Sequence, residues 1–370
     1  MLEHSAYVSI REKTVLGRYL INEQILKFLE TAGQQFVVTT IGNSVQGRPI
    51  KGIVLGTGPI KILMWSQMHG NESTTTKSVL DLINFLGSKS NLAVRVLKHC
   101  TIQIIPMLNP DGAEAYTRVN ANEFDLNRDA QKRTQPESVV LRKVYDEFRP
   151  DYCFNLHDQR TIFNVGDTSK PATVSFLAPA HDEERSISTT RSISMQLIVA
   201  MNFFLQRTIP GRVGRYDDGF NANCVGDTFQ MLGTPTILFE AGHSPKDYDR
   251  EETRVHIFQA ILNALSTITE NKIDDYGQED YFSIPENGKR FYDVLIKNAH
   301  IAHSSIHKDD SIGLLYKEVL ANDKIKFVAQ VDKTGNLADF FGHVTYDCVV
   351  NEELIQLRGQ SFFGDMISKL

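Results

Sequence analysis

Cysteine is scarce and scattered in this 370-residue chain. Cys100, Cys153, Cys224 and Cys348 form no Cys-x-x-Cys pair, and three of them lie in apolar runs. That spacing argues against a disulfide framework and a thiolate metal site, and reads as reduced core residues. Positive charge is in short supply too. Lys and Arg number 39 against 45 Asp and Glu, a net charge of −6, so no basic field exists to displace counterions from nucleic acid. Long apolar runs are absent: residues 197–205 come nearest and are interrupted by Asn202, so no membrane span is expected. The start, Met1-Leu2-Glu3-His4-Ser5, has no basic segment followed by an apolar core. No signal peptide is expected from it, and the plain expectation is a cytoplasmic protein. There is no internal repeat and no low-complexity tract, and nothing speaks to oligomeric state.

What is present is an ordinary globular composition, 41% hydrophobic and 23% charged, long enough to bury one large core beside a small one. The chain is organised around Trp65-Ser66-Gln67-Met68-His69-Gly70-Asn71-Glu72. The continuous apolar run Ile62-Leu63-Met64-Trp65 predicts a buried strand over 61–68. From Ser73, a Ser/Thr cluster suited to capping opens an amphipathic helix. His69 and Glu72 therefore fall at the carboxyl end of a strand, where open α/β sheets hold their ligands. His-x-x-Glu can offer one imidazole nitrogen and one carboxylate to the same metal, but two donors hold zinc poorly. The best third candidate is His157, which follows the apolar run Tyr152–Leu156. Two histidines and a glutamate, with a position left for water, make a catalytic zinc set and not a structural one.

Taken in order, residues 1 to about 35 are expected to be mostly helical. Strands are expected at 36–40, 51–55, 100–107, 152–156, 174–177 and 234–239, and helices at 136–148, 183–208 and 250–269. Asn109-Pro110-Asp111-Gly112 is a turn signal, followed by a polar loop over 113–133 of the length that usually carries function. Strands alternating with helices imply an α/β fold, a mixed β-sheet flanked by helices. Residues 271–290 are polar and acidic and read as a linker. The short strands recurring after 291 imply a small C-terminal β domain. The expected division is thus 1–270, 271–290 and 291–370. His300, His303 and His307 cluster in the last part without a carboxylate or cysteine partner, and read as surface or packing residues.

Strand ends recur at His69/Glu72, at 109–112, at His157 and at Glu240, so these groups can converge on one crevice. A carboxylate ending so apolar a run as Ile237-Leu238-Phe239 would be costly to bury without a function. In this order the motifs match a known set. The segment Ile41 to Ile50, His69-Gly70-Asn71-Glu72, Asn109-Pro110-Asp111-Gly112, Arg118, Asp125-Leu126-Asn127-Arg128, Asn155-Leu156-His157 and Phe239-Glu240 make the chain resemble the carboxypeptidase A-type zinc metallocarboxypeptidases over about residues 40–270. The resemblance implies a single zinc ion held by His69, Glu72 and His157. It implies Glu240 as the general base that moves the proton of the zinc-bound water to the leaving amine. Arg118 would polarise the scissile carbonyl, and Asn127 and Arg128 would hold the terminal carboxylate. The partner it implies is a peptide or small amide with a free carboxylate.

The sequence departs from the family in places. A tyrosine over the substrate is usual; Tyr216 and Tyr248 both compete for that place, and Tyr216 is preferred. Asp158-Gln159-Arg160 replaces small residues after the third ligand, with Arg160 either adding a positive group or pairing with Asp158. The stretch from Asn223 to Phe229, expected to line the specificity pocket, reads as lacking a decisive charge. Two alternatives stand beside the peptidase: an N-acyl amino acid deacylase of the aspartoacylase type, and a non-catalytic binding protein on the same fold.

Overall fold

The structure, a computed structural model, describes residues 4–368; Met1–Glu3, at the start that was read for a signal peptide, lie outside the described residues. Helices α1 (His4–Ile10) and α2 (Asn22–Ala32) precede a run of strands, β1 (Val37–Asn43), β2 (Pro49–Leu55) and β3 (Ile60–Ser66). There follow α3 (Thr74–Leu86), α4 (Asn91–His99), β4 (Cys100–Ile105), α5 (Pro110–Ala115), α6 (Pro136–Phe148) and β5 (Tyr152–Asp158). Next come the short β6 (Asn164–Val165), β7 (Val174–Leu177), α7 (Thr189–Leu205), β8 (Val213–Arg215), α8 (Val225–Met231), β9 (Thr236–Ala241) and α9 (Glu251–Thr269). The remainder holds β10 (Asn287–Gly288), β11 (Phe291–Lys297), β12 (Ser311–Ala321), β13 (Lys324–Gly335), β14 (Phe341–Asp347), α10 (Asn351–Arg358) and α11 (Phe363–Ile367).

Eight strands form one mixed sheet in the order β1-β2-β4-β3-β5-β9-β7-β8. Its centre, β4-β3-β5-β9, is parallel, and antiparallel strands flank it. Parallel strands covered on both faces read as unbroken apolar runs, and β3 shows why. Ile62 and Met64 enter the core beneath α3, α7 and α9, while Leu63 and Trp65 face the opposite core beneath α6 and α8. This is the expected mixed sheet flanked by helices.

Helix α3 departs from expectation. It is buried almost all round, only Asn84 being partly exposed, because α9 and the N-terminal segment cover the face expected to be wet. Its buried charges are therefore matched. Lys77 Nζ donates to Gly17 O at 2.6 Å, Asp249 O at 3.0 Å and Glu251 at 2.6 Å, and Arg254 clamps Asp81 through bonds of 2.6 and 2.7 Å. Ser73 does not cap the helix; its hydroxyl donates to Arg18 O at 2.6 Å. The cap comes from the end of β5, where Asp158 accepts the Thr74 and Thr75 N–H groups at 2.8 and 3.1 Å. A carboxylate there meets both orphan donors and the helix dipole.

Other differences are local. Asn109 opens α5 as its N-cap, accepting from Gly112 N at 2.9 Å, so the expected turn is a helix start. The expected helix over 183–208 begins only at Thr189, where Ser188 caps it. Helices α4 and α8 were not expected. β5 and β9 run through His157 and Glu240 rather than stopping before them.

The small sheet, β13-β12-β11-β14, packs α10 and α11 over its own core of residues such as Val294, Ile312, Leu314 and Leu357. Before it, the 271–290 segment returns to the large sheet's side: Tyr281 is fully buried in that core and β10 pairs with β6. The small sheet also docks on the large one. Tyr248 donates its hydroxyl hydrogen to Asp293 at 2.8 Å and its ring meets Tyr316 edge-on, while Arg18 pairs with Glu318 at 3.2 Å. Among the described residues no helix is long and apolar enough to cross a membrane.

Candidate metal centre and substrate groove

Three loops are fastened together to bring the site residues to one place. After β3 the chain turns at Gln67, a non-glycine residue at φ 48°, whose side-chain amide donates to Leu20 O and Gly70 O, each at 2.9 Å. Gly70 then passes the α5 turn so closely that a Cβ there would lie 1.9 Å from Gly112 C. Only glycine permits this approach. Asn109 joins the two loops to a third: its amide donates to Met68 O at 3.1 Å and to Val119 O at 3.2 Å. It thereby ties the residue before His69 to the residue after Arg118. The segment from Gly42 to Ile50 serves the same assembly, since Ser44 Oγ, Gln46 N and Arg48 Nη1 all donate to Asp111, at 2.8, 2.9 and 2.7 Å.

Within this frame the donor atoms of His69, Glu72 and His157 lie within 4.8 Å of one another. All three residues are buried. His69 Nδ1 and His157 Nδ1 are 3.1 Å apart, and each lies 2.8 Å from a Glu72 oxygen. His69 Nε2 sits 3.0 Å from Asp125 Oδ1. In the tautomer protonated at Nε2, that carboxylate accepts the Nε2–H hydrogen bond and the Nδ1 lone pair faces inward. Two imidazoles and a carboxylate converging in a buried space form a set of donor atoms able to hold a cation between them. The donor set therefore fits zinc, which favours nitrogen and carboxylate ligands and keeps an open position in catalytic sites. Among the described residues this is the one group of three or more such donors; His300, His303 and His307 do not form another.

The three residues are electrostatically linked. Burial raises the Glu72 carboxyl, but the His69 and His157 rings outweigh it and hold it well below the usual range. Burial lowers both histidines; the Glu72 charge reverses this for His69, which is raised, but not for His157, which stays lowered. Burial raises Asp125 as well, and its bond to His69 with the charges of His69 and Arg118 brings it down.

Glu240 is buried on β9, beside His157 on β5 in the strand register. Burial pushes its carboxyl well above the usual range, the Glu72 and Asp158 carboxylates push the same way, and Arg118 and Arg250 only partly offset them. One of its oxygens, Oε2, is buried with no hydrogen-bond partner among the described residues. Arg118, half-exposed, reaches Glu72 Oε1 at 3.3 Å and Asp125 Oδ2 at 3.1 Å. Among the described residues no carboxylate binds Arg128. Its Nη1 donates to Asn127 O at 2.7 Å and to Cys224 Sγ at 3.1 Å, while Asn127 Oδ1 accepts from Val225 N at the start of α8 at 2.9 Å.

Every sequence-predicted site residue lines a single groove of about 720 Å³: His69, Glu72, Arg118, Asn127, Arg128, His157, Tyr216 and Glu240. Tyr216 is in it and Tyr248 is not, the latter being engaged with Asp293 against the small sheet. Arg160 and Asp158 both line the groove, and the Asp158 oxygens accept the Thr74 and Thr75 N–H groups at the start of α3. The stretch from Asn223 to Phe229 does hold a charge, contrary to the reading above. Asp227, buried on α8, faces the groove, and burial pushes its carboxyl up to about 7. Arg18, Tyr116, Tyr316 and Glu318 line it too, and no motif pointed to them.

A two-histidine, one-carboxylate donor set at the carboxyl ends of parallel strands defines a candidate metal site on an α/β scaffold. The zinc carboxypeptidase family profile matches residues 22–198, a little under half of the chain. Carboxypeptidase 2 of Trichophyton rubrum is 30% identical over 100 residues, covering 26% of this chain and 19% of its own. The chain thus spans about a fifth of the length of such relatives. Among solved structures, a metallo-carboxypeptidase from Burkholderia cenocepacia superposes with TM-score 0.54 at 19% identity, over 68% of this chain and 69% of that one. A metallo-carboxypeptidase from Pseudomonas aeruginosa, in complex with (2-guanidinoethylmercapto)succinic acid, gives TM-score 0.51 at 17% identity over 68% and 69%. At these identities the likeness concerns the fold.

Proposed function

We propose that the protein is a zinc-dependent metallocarboxypeptidase that removes the C-terminal residue of peptides. The observation that carries this reading is the single groove in which an unpaired Arg128, a buried Glu240 and the His69/Glu72/His157 set meet. One zinc ion held by that set would supply Lewis acidity and a water of lowered pKa. The chain's own residues supply the rest. Arg128, with Asn127 beside it, receives the terminal carboxylate in a planar fork. Arg118 stands at the edge of the donor set to stabilise negative charge developing on the carbonyl oxygen. Glu240 takes a proton at a carboxylate oxygen and returns it to the leaving amine, a role suited to a carboxyl whose affinity for protons burial has raised. Tyr216 lies in the groove to cover the bound residue. Asp227 on the leaving-residue side favours a basic side chain there, most strongly above pH 7, where it is ionised.

The test is mass spectrometry of peptides and N-acyl amino acids incubated with the zinc-loaded protein and with a Glu240→Gln control. Loss of single C-terminal residues that the control does not produce supports the reading. Turnover of acyl amino acids alone moves the protein to the deacylase chemistry, and no turnover of either leaves a binding role.

A further inference from the structure

Two separate clusters line the groove. Asn127, Arg128, Cys224 and Asp227 form the first, held to the start of α8, and the proposed function assigns it to the leaving residue. The second joins both domains. Glu318, on β12 of the small sheet, pairs with the buried Arg18 at 3.2 Å and accepts a hydrogen bond from Tyr116 Oη. Tyr116 is held left-handed at φ 54° just past α5, two residues before Arg118. Tyr316, on the same strand, donates its backbone N–H to Asp293 at 2.7 Å and packs its ring on Tyr248.

These contacts make the wall a fixed one. Glu318 satisfies a cation that is almost fully buried, so moving β12 away would strand Arg18 without its counter-charge. Tyr316 is locked by a charge-assisted hydrogen bond and an aromatic contact. The groove that remains, about 720 Å³, has the size of a site for a small molecule of a few residues. With the first cluster given to the leaving residue, the second is left to meet the acyl portion.

We infer that β12 of the small domain, through Glu318 and Tyr316, walls the acyl side of the groove and restricts the enzyme to short peptides. This rests on the carboxypeptidase reading and deepens it by setting the substrate class. Glu318 is a positioning residue here, because it acts through Arg18 and Tyr116.

The test measures kcat/KM for the zinc-loaded protein on a series sharing one C-terminal dipeptide, from dipeptide to octapeptide. Glu318→Ala and Glu318→Gln variants are run beside it. The expected result is a fall of about tenfold or more between the tripeptide and the octapeptide, a difference in transition-state binding. Glu318→Ala, which releases Arg18 and Tyr116, is expected to shrink that ratio, whereas Glu318→Gln, which keeps the shape and a polar partner, retains more of it. A merely structural role would lower activity on all lengths alike and leave the ratio unmoved. Equal rates on all lengths in the unaltered protein overturn the inference while leaving the carboxypeptidase reading intact, and need no variant to fold. Absence of C-terminal cleavage at every length overturns that reading and the inference with it.

Discussion

His157 and Glu240 are register partners on the adjacent parallel strands β5 and β9. Register partners present their side chains on the same face of a sheet, so the proposed metal ligand and the proposed proton carrier are fixed side by side by backbone hydrogen bonds. Neither depends on a flexible loop. Each strand sits in the middle of the large sheet, where local opening costs most.

Glu240→Gln keeps this geometry and removes the titrating oxygen. We expect kcat to fall by about 10²–10⁴-fold, the range general acid–base groups supply, with bound zinc unchanged because Glu240 is outside the donor set. Steady-state kinetics with elemental analysis of the same sample checks both halves. Loss of zinc from the variant would count against a purely proton-carrying role.

Removal of the metal should act on activity and stability together. Treatment with a chelator is expected to abolish turnover and to lower the melting temperature, and one equivalent of zinc to restore both, since a ligand bound only by the native state stabilises it. His157→Ala should show neither response. It removes one of three donors, and two donors hold zinc poorly. Calorimetry across a zinc titration gives the stoichiometry directly.

Gly70→Ala tests whether the close passage of the two loops holds the ligands. The added Cβ would lie 1.9 Å from Gly112 C and 2.2 Å from Ala113 N, and both are backbone atoms that cannot rotate away. The loops must separate, and His69 moves with them. We expect weaker zinc retention by at least about tenfold, the lower end of what disturbed ligand positioning costs, and a loss of stability of about 1–3 kcal/mol, the usual range for overpacking a tight site. Competition with a zinc-binding dye and denaturant unfolding check them separately.

Much of this was legible in the sequence because the central strands are buried on both faces. Burial leaves Ile62 to Trp65 and Ile237 to Phe239 no polar position, so the apolar runs mark where the strands lie, and the first polar groups after them mark the site. What was not legible depends on contacts across long separations. Asp158 caps a helix that begins 84 residues earlier in the chain, and no local signal distinguishes it from a solvated carboxylate. Helix α3 reads as amphipathic because its charges are real; only α9 and the N-terminal segment, folding over it, make them internal. Glu318 sits in the half-exposed stretch Leu315–Ala321 of its strand, which resembles any surface strand, and its meeting with Arg18 spans the two domains. Asp227 is one acid in a polar stretch until α8 turns it towards the groove.

Arg128→Lys keeps the charge and removes the fork. If Arg128 receives the terminal carboxylate, the variant should lose about 10–100-fold in kcat/KM, from the loss of a bidentate charge-assisted pair. The loss should vanish for substrates whose C-terminus is amidated, which the unaltered protein already handles poorly. An equal loss on both substrate types would place Arg128 in a structural role at the start of α8.

Asp227 makes a prediction with a sign. Its carboxyl is pushed up to about 7, from an ordinary value near 4, by burial that its hydrogen bonds do not repay. A group whose folded pKa is raised contributes stability that is complete below the unfolded pKa and is lost as pH rises through the folded one. Asp227 therefore favours the native state at pH 4 and opposes it progressively up to about pH 7, by at most about 4 kcal/mol. Asp227→Asn carries no such dependence. Its melting temperature relative to the unaltered protein should rise between pH 5 and pH 8, and its preference for a basic leaving residue at pH 8 should disappear. A melting difference that stays flat with pH would mean that Asp227 is ionised throughout and that burial does not raise it.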